Sequence, residues 1–171
     1  AVNHLLIKYK EGFMKILLIH PEYENTFWNV KKVLRVLGKK AGYPPLGLLT
    51  VAAMLPSHWE KKLIDMNCEI LKEKDIRWAD YVLISSIIGQ KHSTKEVIDK
   101  VQKIGKTTIA GGSLFTTDWE EFSNIDTIVL GESEEIISVL IKDMENNNLK
   151  KMYSMKDFPA IEKTPIPAWD L

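Results

Sequence analysis

The 171-residue sequence predicts a doubly wound α/β domain, a five-stranded parallel sheet in the middle of three layers. Short, wholly apolar runs such as Ile16-Leu17-Leu18-Ile19 and Tyr81-Val82-Leu83-Ile84 fit strands covered on both faces. They alternate with stretches whose apolar residues recur at helical spacing, the pattern of β-α-β units. Several strands also end on glycine, as strands do where a turn or a ligand crowds the backbone.

The first strand is Lys15–His20, ended by Pro21. Val30, Val33, Leu34 and Leu37 then recur at helical spacing up to Gly38. Tyr43-Pro44-Pro45-Leu46-Gly47 is a rigid turn, because paired prolines fix the backbone and donate no hydrogen bonds. Leu46 to Leu55 is almost wholly apolar and closes at Pro56, as a buried helix would. The second strand, Lys61–Met66, opens on two lysines that mark a sheet edge.

A polar connection holding Cys68, Ile70 and Leu71 leads to the third strand, Tyr81–Ile88, which breaks at Gly89-Gln90. Ser93 and Glu96 read as a capping box for a helix with Val97, Ile98, Val101 and Ile104 on one face, stopped by Gly105. The fourth strand runs from Thr107 and stops on Gly111-Gly112. Thr117 and Glu120 read as a second capping box on a short helix through Phe122. Thr127–Leu130 is the fifth strand, closed by Gly131, and a helix from Glu132 to Met144 follows with glutamates in its first turn. Met152-Tyr153 fits a last short strand, and Thr164 to Leu171 reads as an extended, proline-punctuated tail. Met14 directly precedes the first strand. Residues 1–13 are therefore expected to be a leader, 14–148 the domain, and 149–171 a linker.

Composition narrows the function. Lys plus Arg and Asp plus Glu both total 23, so the chain lacks the basic excess of a nucleic-acid binder. The single cysteine, Cys68, forms no internal disulfide, which fits a cytoplasmic protein. No apolar run approaches the roughly 20 residues of a membrane-spanning helix. No cysteine and histidine cluster has metal-ligand spacing.

In an open parallel sheet the ligand crevice lies beyond the carboxyl ends of the strands. Three familiar occupants fail there by residue. A dinucleotide needs Gly-x-Gly-x-x-Gly after the first strand, where this chain has His20-Pro21-Glu22-Tyr23-Glu24-Asn25. A phosphate-accepting receiver needs carboxylates where His20 and Ser85-Ser86 stand, and a flavodoxin-type phosphate loop needs Ser, Thr and Gly after the first strand. What remains is a row of small residues at three strand ends: Ser85, Ser86 and Gly89; Gly111 and Gly112; and Gly131. Bare backbone there leaves a slot for a large flat ligand with a side arm. Tight turns alone would also account for each glycine.

Four motifs in order, Tyr43-Pro44-Pro45-Leu46-Gly47-Leu48, Ala110-Gly111-Gly112-Ser113, Gly131-Glu132-Ser133-Glu134-Glu135 and Pro165-Ile166-Pro167-Ala168-Trp169-Asp170, carry a family resemblance. From Met14 to Leu171 the chain resembles the amino-terminal cobalamin-binding domain of radical S-adenosylmethionine enzymes. Within that superfamily it is most similar to the branch of hopanoid C-2 methylases and of sequences labelled magnesium-protoporphyrin monomethyl ester oxidative cyclase. The resemblance implies a flavodoxin-like, Rossmann-like fold and a cobalamin cofactor positioned for methyl transfer. A cyclase is the alternative reaction, and a flavodoxin-like module that has lost its cofactor is the alternative class.

The resemblance also implies site residues. Ser85, Ser86, Gly89 and Gln90 match the loop that meets the nucleotide arm of cobalamin. Gly111 and Gly112 match the pair that lets the arm pass the sheet, Gly131 and Glu132 its far side, and Pro44, Pro45 and Leu46 a loop near the corrin rim. The Asp-x-His-x-x-Gly of other cobalamin folds is absent, so no histidine is expected beneath cobalt. The Cys-x-x-x-Cys-x-x-Cys of the family is absent as well. The resemblance therefore places S-adenosylmethionine and the 4Fe-4S cluster in a carboxyl-terminal barrel beyond this chain, which by itself is not catalytic. That barrel is its expected partner.

Among single residues, His20 reads as a strand cap rather than a metal ligand, and His92 as a solvated group ahead of its helix. Glu134 and Glu135 are explained by the dipole of a helix's first turn without acid-base chemistry. Trp28, Trp59, Trp78 and Trp119 read as packing residues, with cover for a ligand the alternative for Trp28 in the long first loop. Replacing Gly111 or Gly112 by valine is expected to abolish cofactor retention and leave the fold intact.

Overall fold

The computed structural model describes residues 13–24, 34, 36–155, 162 and 164–171. Trp28, Val30, Val33 and residues 1–12 lie outside the described residues. The elements are β1 (Lys15–His20), α1 (Leu46–Met54), β2 (Glu60–Asp65), α2 (Glu73–Trp78), β3 (Tyr81–Ser85), α3 (Lys91–Ile104), β4 (Thr107–Gly111), α4 (Ser113–Asp118), β5 (Thr127–Leu130), α5 (Ile137–Glu145) and β6 (Met152–Ser154). Their strands form one sheet in the order β2-β1-β3-β4-β5-β6, every pair parallel. This is the flavodoxin-like order with one strand more, and its switch point lies between β1 and β3.

The lysine-led β2 sits at the sheet edge, as its sequence implies. β6 pairs with β5 through Ile128, Val129 and Leu130, so the sheet has a sixth strand beyond the five expected. Further on, the Ala168 N–H donates to the Leu49 carbonyl at 3.1 Å, which lays the tail against α1.

Strand alternation divides the core in two. Leu17, Ile19, Val82, Ile84, Ala110 and Ile128 pack under α2, α3 and α4. Ile16, Leu18, Leu83, Ile109 and Val129 pack under α1 and α5. α1 has no polar stripe because the sheet, the tail and its neighbours cover most of it: Leu48, Leu49 and Ala52 are all buried.

Three local expectations change. Neither capping box forms: α3 begins at Lys91, so Ser93 lies inside it, and its hydroxyl accepts the Glu22 N–H instead. Thr117 lies in the last turn of α4 and donates to the Ser113 carbonyl at 2.6 Å. α5 begins at Ile137, so Glu132, Glu134 and Glu135 precede it. α2 occupies part of the stretch read as a polar connection; six residues are too few to display a period.

α2 is fastened at its start by Asp75, whose carboxylate accepts the Lys72 N–H at 3.2 Å and the Lys62 ammonium at 2.5 Å. Burial pushes the Asp75 carboxyl up. The hydrogen bonds from Lys62 and the Lys72 backbone outweigh it and hold the group below the ordinary aspartate range.

Just after β4, the chain passes close to the end of β3. Gly112 has φ +97° and ψ 174°, a region essentially confined to glycine. A Cβ on it would stand 2.6 Å from the Ser86 carbonyl oxygen and 3.0 Å from the Ser86 nitrogen. Gly112 is therefore glycine for the fold's sake, which overturns the expectation that Gly112→Val leaves the fold intact. Gly112→Ala should cost about 3 kcal/mol in denaturant unfolding, from strain and forced separation of the strand ends. Asp75→Asn should cost about 2 kcal/mol at neutral pH. A lowered carboxyl pKa stabilises above the ordinary aspartate range, and that stability is lost as pH falls through the folded-state value. Unfolding followed from pH 7 downward should therefore be less acid-sensitive in Asp75→Asn than in the wild type.

Candidate functional site

At the carboxyl ends of the strands, on the face covered by α1 and α5, the sheet opens into a cleft of about 140 Å³. The alternation that packs Leu83 and Ile109 on this face also puts Ser85 and Gly111 there, at the last position of β3 and β4. Ser85 and Gly111 are register partners and form the floor side by side. Two residues back, about 7 Å deeper at the rise of a strand, the lining is Leu83 and Ile109. Gly47, Leu48 and Val51 of α1 make one wall, and Ile136, Ile137 and Leu140 at α5 make the other. Gly131, Glu132 and Ser133 border it after β5, and among the described residues Glu132 is the only charged side chain in the lining.

The glycines differ in what holds them. A Cβ at Gly47 or Gly131 would meet nothing within 4 Å, and one at Gly111 would touch only Val129, at 3.4 Å or more. Gly131 still needs to be glycine for its turn, with φ +81°. Gly47 and Gly111 have no such need, so their bareness keeps the cleft open.

The structure brings Ser85, Gly111, Gly112, Gly131 and Glu132 together around this cleft. It places the other expected residues elsewhere. Ser86 is 1% exposed, and its hydroxyl accepts the Thr94 hydroxyl at 2.8 Å. Gln90 is fully buried: its amide nitrogen donates to the Pro21 carbonyl at 2.5 Å and lies 3.1 Å from His20 Nε2, while its oxygen accepts the Ile87 N–H. The Gly89 carbonyl accepts the Glu24 N–H at 2.9 Å. These three residues build the turn from β3 into α3. Pro44 and Pro45 line a second, more open hollow of about 500 Å³ with Tyr43, Asp65, Cys68 and Trp169. Leu46 begins α1 and is half exposed.

His20 is buried at the end of β1 and meets Tyr23 edge to face at 5.6 Å. Burial pushes its imidazole pKa down, against the pull of Asp65 and of the Ser85 backbone. His92 is exposed and pairs with Glu96 one turn along α3, at 3.3 Å. Glu134 accepts the Thr164 hydroxyl at 3.2 Å. Among the described residues no group of three or more His, Cys, Asp or Glu side chains could hold a metal ion, and no helix is long and apolar enough to cross a membrane.

Sequence reasoning found the floor and missed the walls. Val51, Ile136, Ile137 and Leu140 read as ordinary helix core, and only the absence of a polar face on Leu46–Met54 hints that this helix has apolar neighbours all round.

Three of the curated proteins that align with this chain illustrate its relatives. An uncharacterized methyltransferase of Synechocystis sp. is 36% identical over 92% of this chain and 30% of its own length. The hopanoid C-2 methylase of Rhodopseudomonas palustris is 25% identical over 92% of this chain and 31% of its own. The bacteriochlorophyllide d C-8(2)-methyltransferase of Chlorobaculum tepidum is 32% identical over 71% of this chain and 27% of its own. The chain thus spans under a third of the length of these relatives. A solved N-terminal domain of a hypothetical Thermotoga maritima protein is similar at TM-score 0.43 and 17% identity, over 77% of this chain and 93% of that one. The family model described as B12 binding domain matches residues 30–141. With its flavodoxin-like sheet and its cleft at the strand ends, the chain belongs to the B12-binding domain family.

Proposed function

We propose that this chain is the cobalamin-binding domain of a cytoplasmic, cobalamin-dependent radical S-adenosylmethionine methyltransferase, and that the α1/α5 cleft holds the cofactor's nucleotide arm. One observation carries the placement: Ser85 and Gly111 leave a floor without bulky side chains between two apolar helices, where β3 and β4 end. That space suits a flat ring entering edge-on, and cobalamin has such a ring in its benzimidazole base. Gly131 and Glu132 would border the arm where it leaves the cleft. Pro44, Pro45 and Leu46 would face the corrin from the second hollow. Gly112, Ser86, Gly89 and Gln90 would act one step back by holding the strand ends in place.

Bound here, cobalamin would supply a cobalt centre able to carry a methyl group. The chain's own work is positioning and exclusion of water. Leu48, Val51 and Leu140 would line the arm, and Ser85 and Ser133 would offer it hydroxyls. His20, buried and turned to Gln90, is kept for the β1 turn rather than for cobalt. The relatives' names, all methylases or methyltransferases, favour methyl transfer over cyclisation. The iron–sulfur cluster and S-adenosylmethionine would belong to a further part of the protein.

Purified full-length protein mixed with hydroxocobalamin and then desalted should retain about one equivalent, with a shifted visible spectrum. Gly111→Val and Gly47→Leu, whose side chains would fill the cleft without backbone conflict, should each weaken binding by about tenfold or more with unfolding close to wild type. A wild-type protein that retains none, or two variants that bind like it, would refute the proposal.

A further inference from the structure

Among the described residues, the inner part of the cleft offers no hydrogen-bonding side chain. Leu83, Ile109 and Val129 lie beneath it, with Val51 and Leu140 at its sides. Its polar side chains, Ser85, Glu132 and Ser133, all belong to the strand-end level or to the loop after β5. The backbone underneath is already engaged: Leu83 and Ile109 are partners in the β3–β4 ladder, and the Gly111 carbonyl accepts the Ser86 N–H at 3.2 Å. Among the described residues, a ring that reaches this depth finds apolar contact and no free donor or acceptor.

Building on the cobalamin reading, we infer that the cleft discriminates among corrinoids by their lower base, accepting dimethylbenzimidazole and rejecting purines. The inner edge of dimethylbenzimidazole is a benzene ring with two methyl groups, which loses nothing by leaving water. Adenine in its place adds an exocyclic amine and two ring nitrogens to the one free nitrogen both bases keep. Each of these groups gives up water on entry, and the cleft interior returns no partner. A site that leaves polar groups unpaired discriminates far more strongly than one that merely lacks a methyl contact. The selectivity therefore resides in Val51, Leu83, Ile109, Val129 and Leu140, none of which touches the corrin in this arrangement.

The test titrates the full-length protein, by its visible spectrum, with cobalamin, its adenine-base analogue, and cobinamide, which has no base. Cobalamin should bind about tenfold to a hundredfold more tightly than the adenine analogue, and the analogue should fall near cobinamide. Val51→Thr, which adds one hydroxyl to the wall at nearly unchanged shape, should narrow the cobalamin-to-adenine ratio by about threefold or more. Equal affinities for the two base-bearing cofactors, both above cobinamide, would overturn the selectivity and leave the cobalamin reading standing. Cobalamin binding no tighter than cobinamide would put the base outside the cleft and overturn the inference as well. Retention of none of the three would refute the cobalamin reading itself.

Discussion

The site depends on how closely β4 approaches β3. A Cβ at Gly112 would collide with the Ser86 backbone, and the Leu114 N–H beyond it donates to the Ser86 carbonyl at 3.1 Å. Any side chain at 112 would push the strand ends apart. Held together, they keep Ser85 beside Gly111, and a two-residue patch of small groups becomes a continuous floor. The adjacent glycines thus divide the labour: Gly112 fixes the position of the floor, and Gly111 keeps it bare.

The two faces of the sheet are finished differently. On the α3 side, the turn after β3 is fastened by buried polar groups: Thr94 to Ser86, and Gln90 to Pro21, His20 and Ile87. Beyond it, Lys91 and Lys95 tie α3 to the turn after α4, and their ammonium groups hold the exposed Glu121 carboxyl down to about 2. On the α1 side the lining of the cleft is apolar almost to its rim. Polar fastening on one face leaves the other free to be shaped for a ligand. A cofactor that fills an apolar cleft also stabilises the fold that holds it, by mass action.

Much of the sheet was legible because β1, β3 and β5 are short apolar runs, and Pro21, Gly112 and Gly131 mark the breaks after β1, β4 and β5. Thr127–Leu130 needed no tertiary context to be read, whereas the third strand, expected to run to Ile88, ends at Ser85 because the chain turns there toward α3. Elements with little period of their own were harder: α2 has six residues, and its capping rests on Asp75 meeting Lys62 from another element. The site was half legible for a related reason. Small residues at strand ends are visible in one dimension, so Ser85, Gly111 and Gly131 stood out. Whether a glycine is bare toward a ligand or toward a neighbouring strand depends on distances, and so Gly111 and Gly112 looked alike until the Ser86 contact separated them. Val51 and Leu140 carry no local mark, because an apolar wall facing a cleft has the same composition as one facing a core.

The most direct measurement is a crystal structure of the protein grown with cobalamin. The account predicts the benzimidazole base between α1 and α5, lying over Gly111 with Val51 and Leu140 on either side. Density for the base on the α3 face, or in solvent with the cleft closed by Val51 and Leu140, would contradict it.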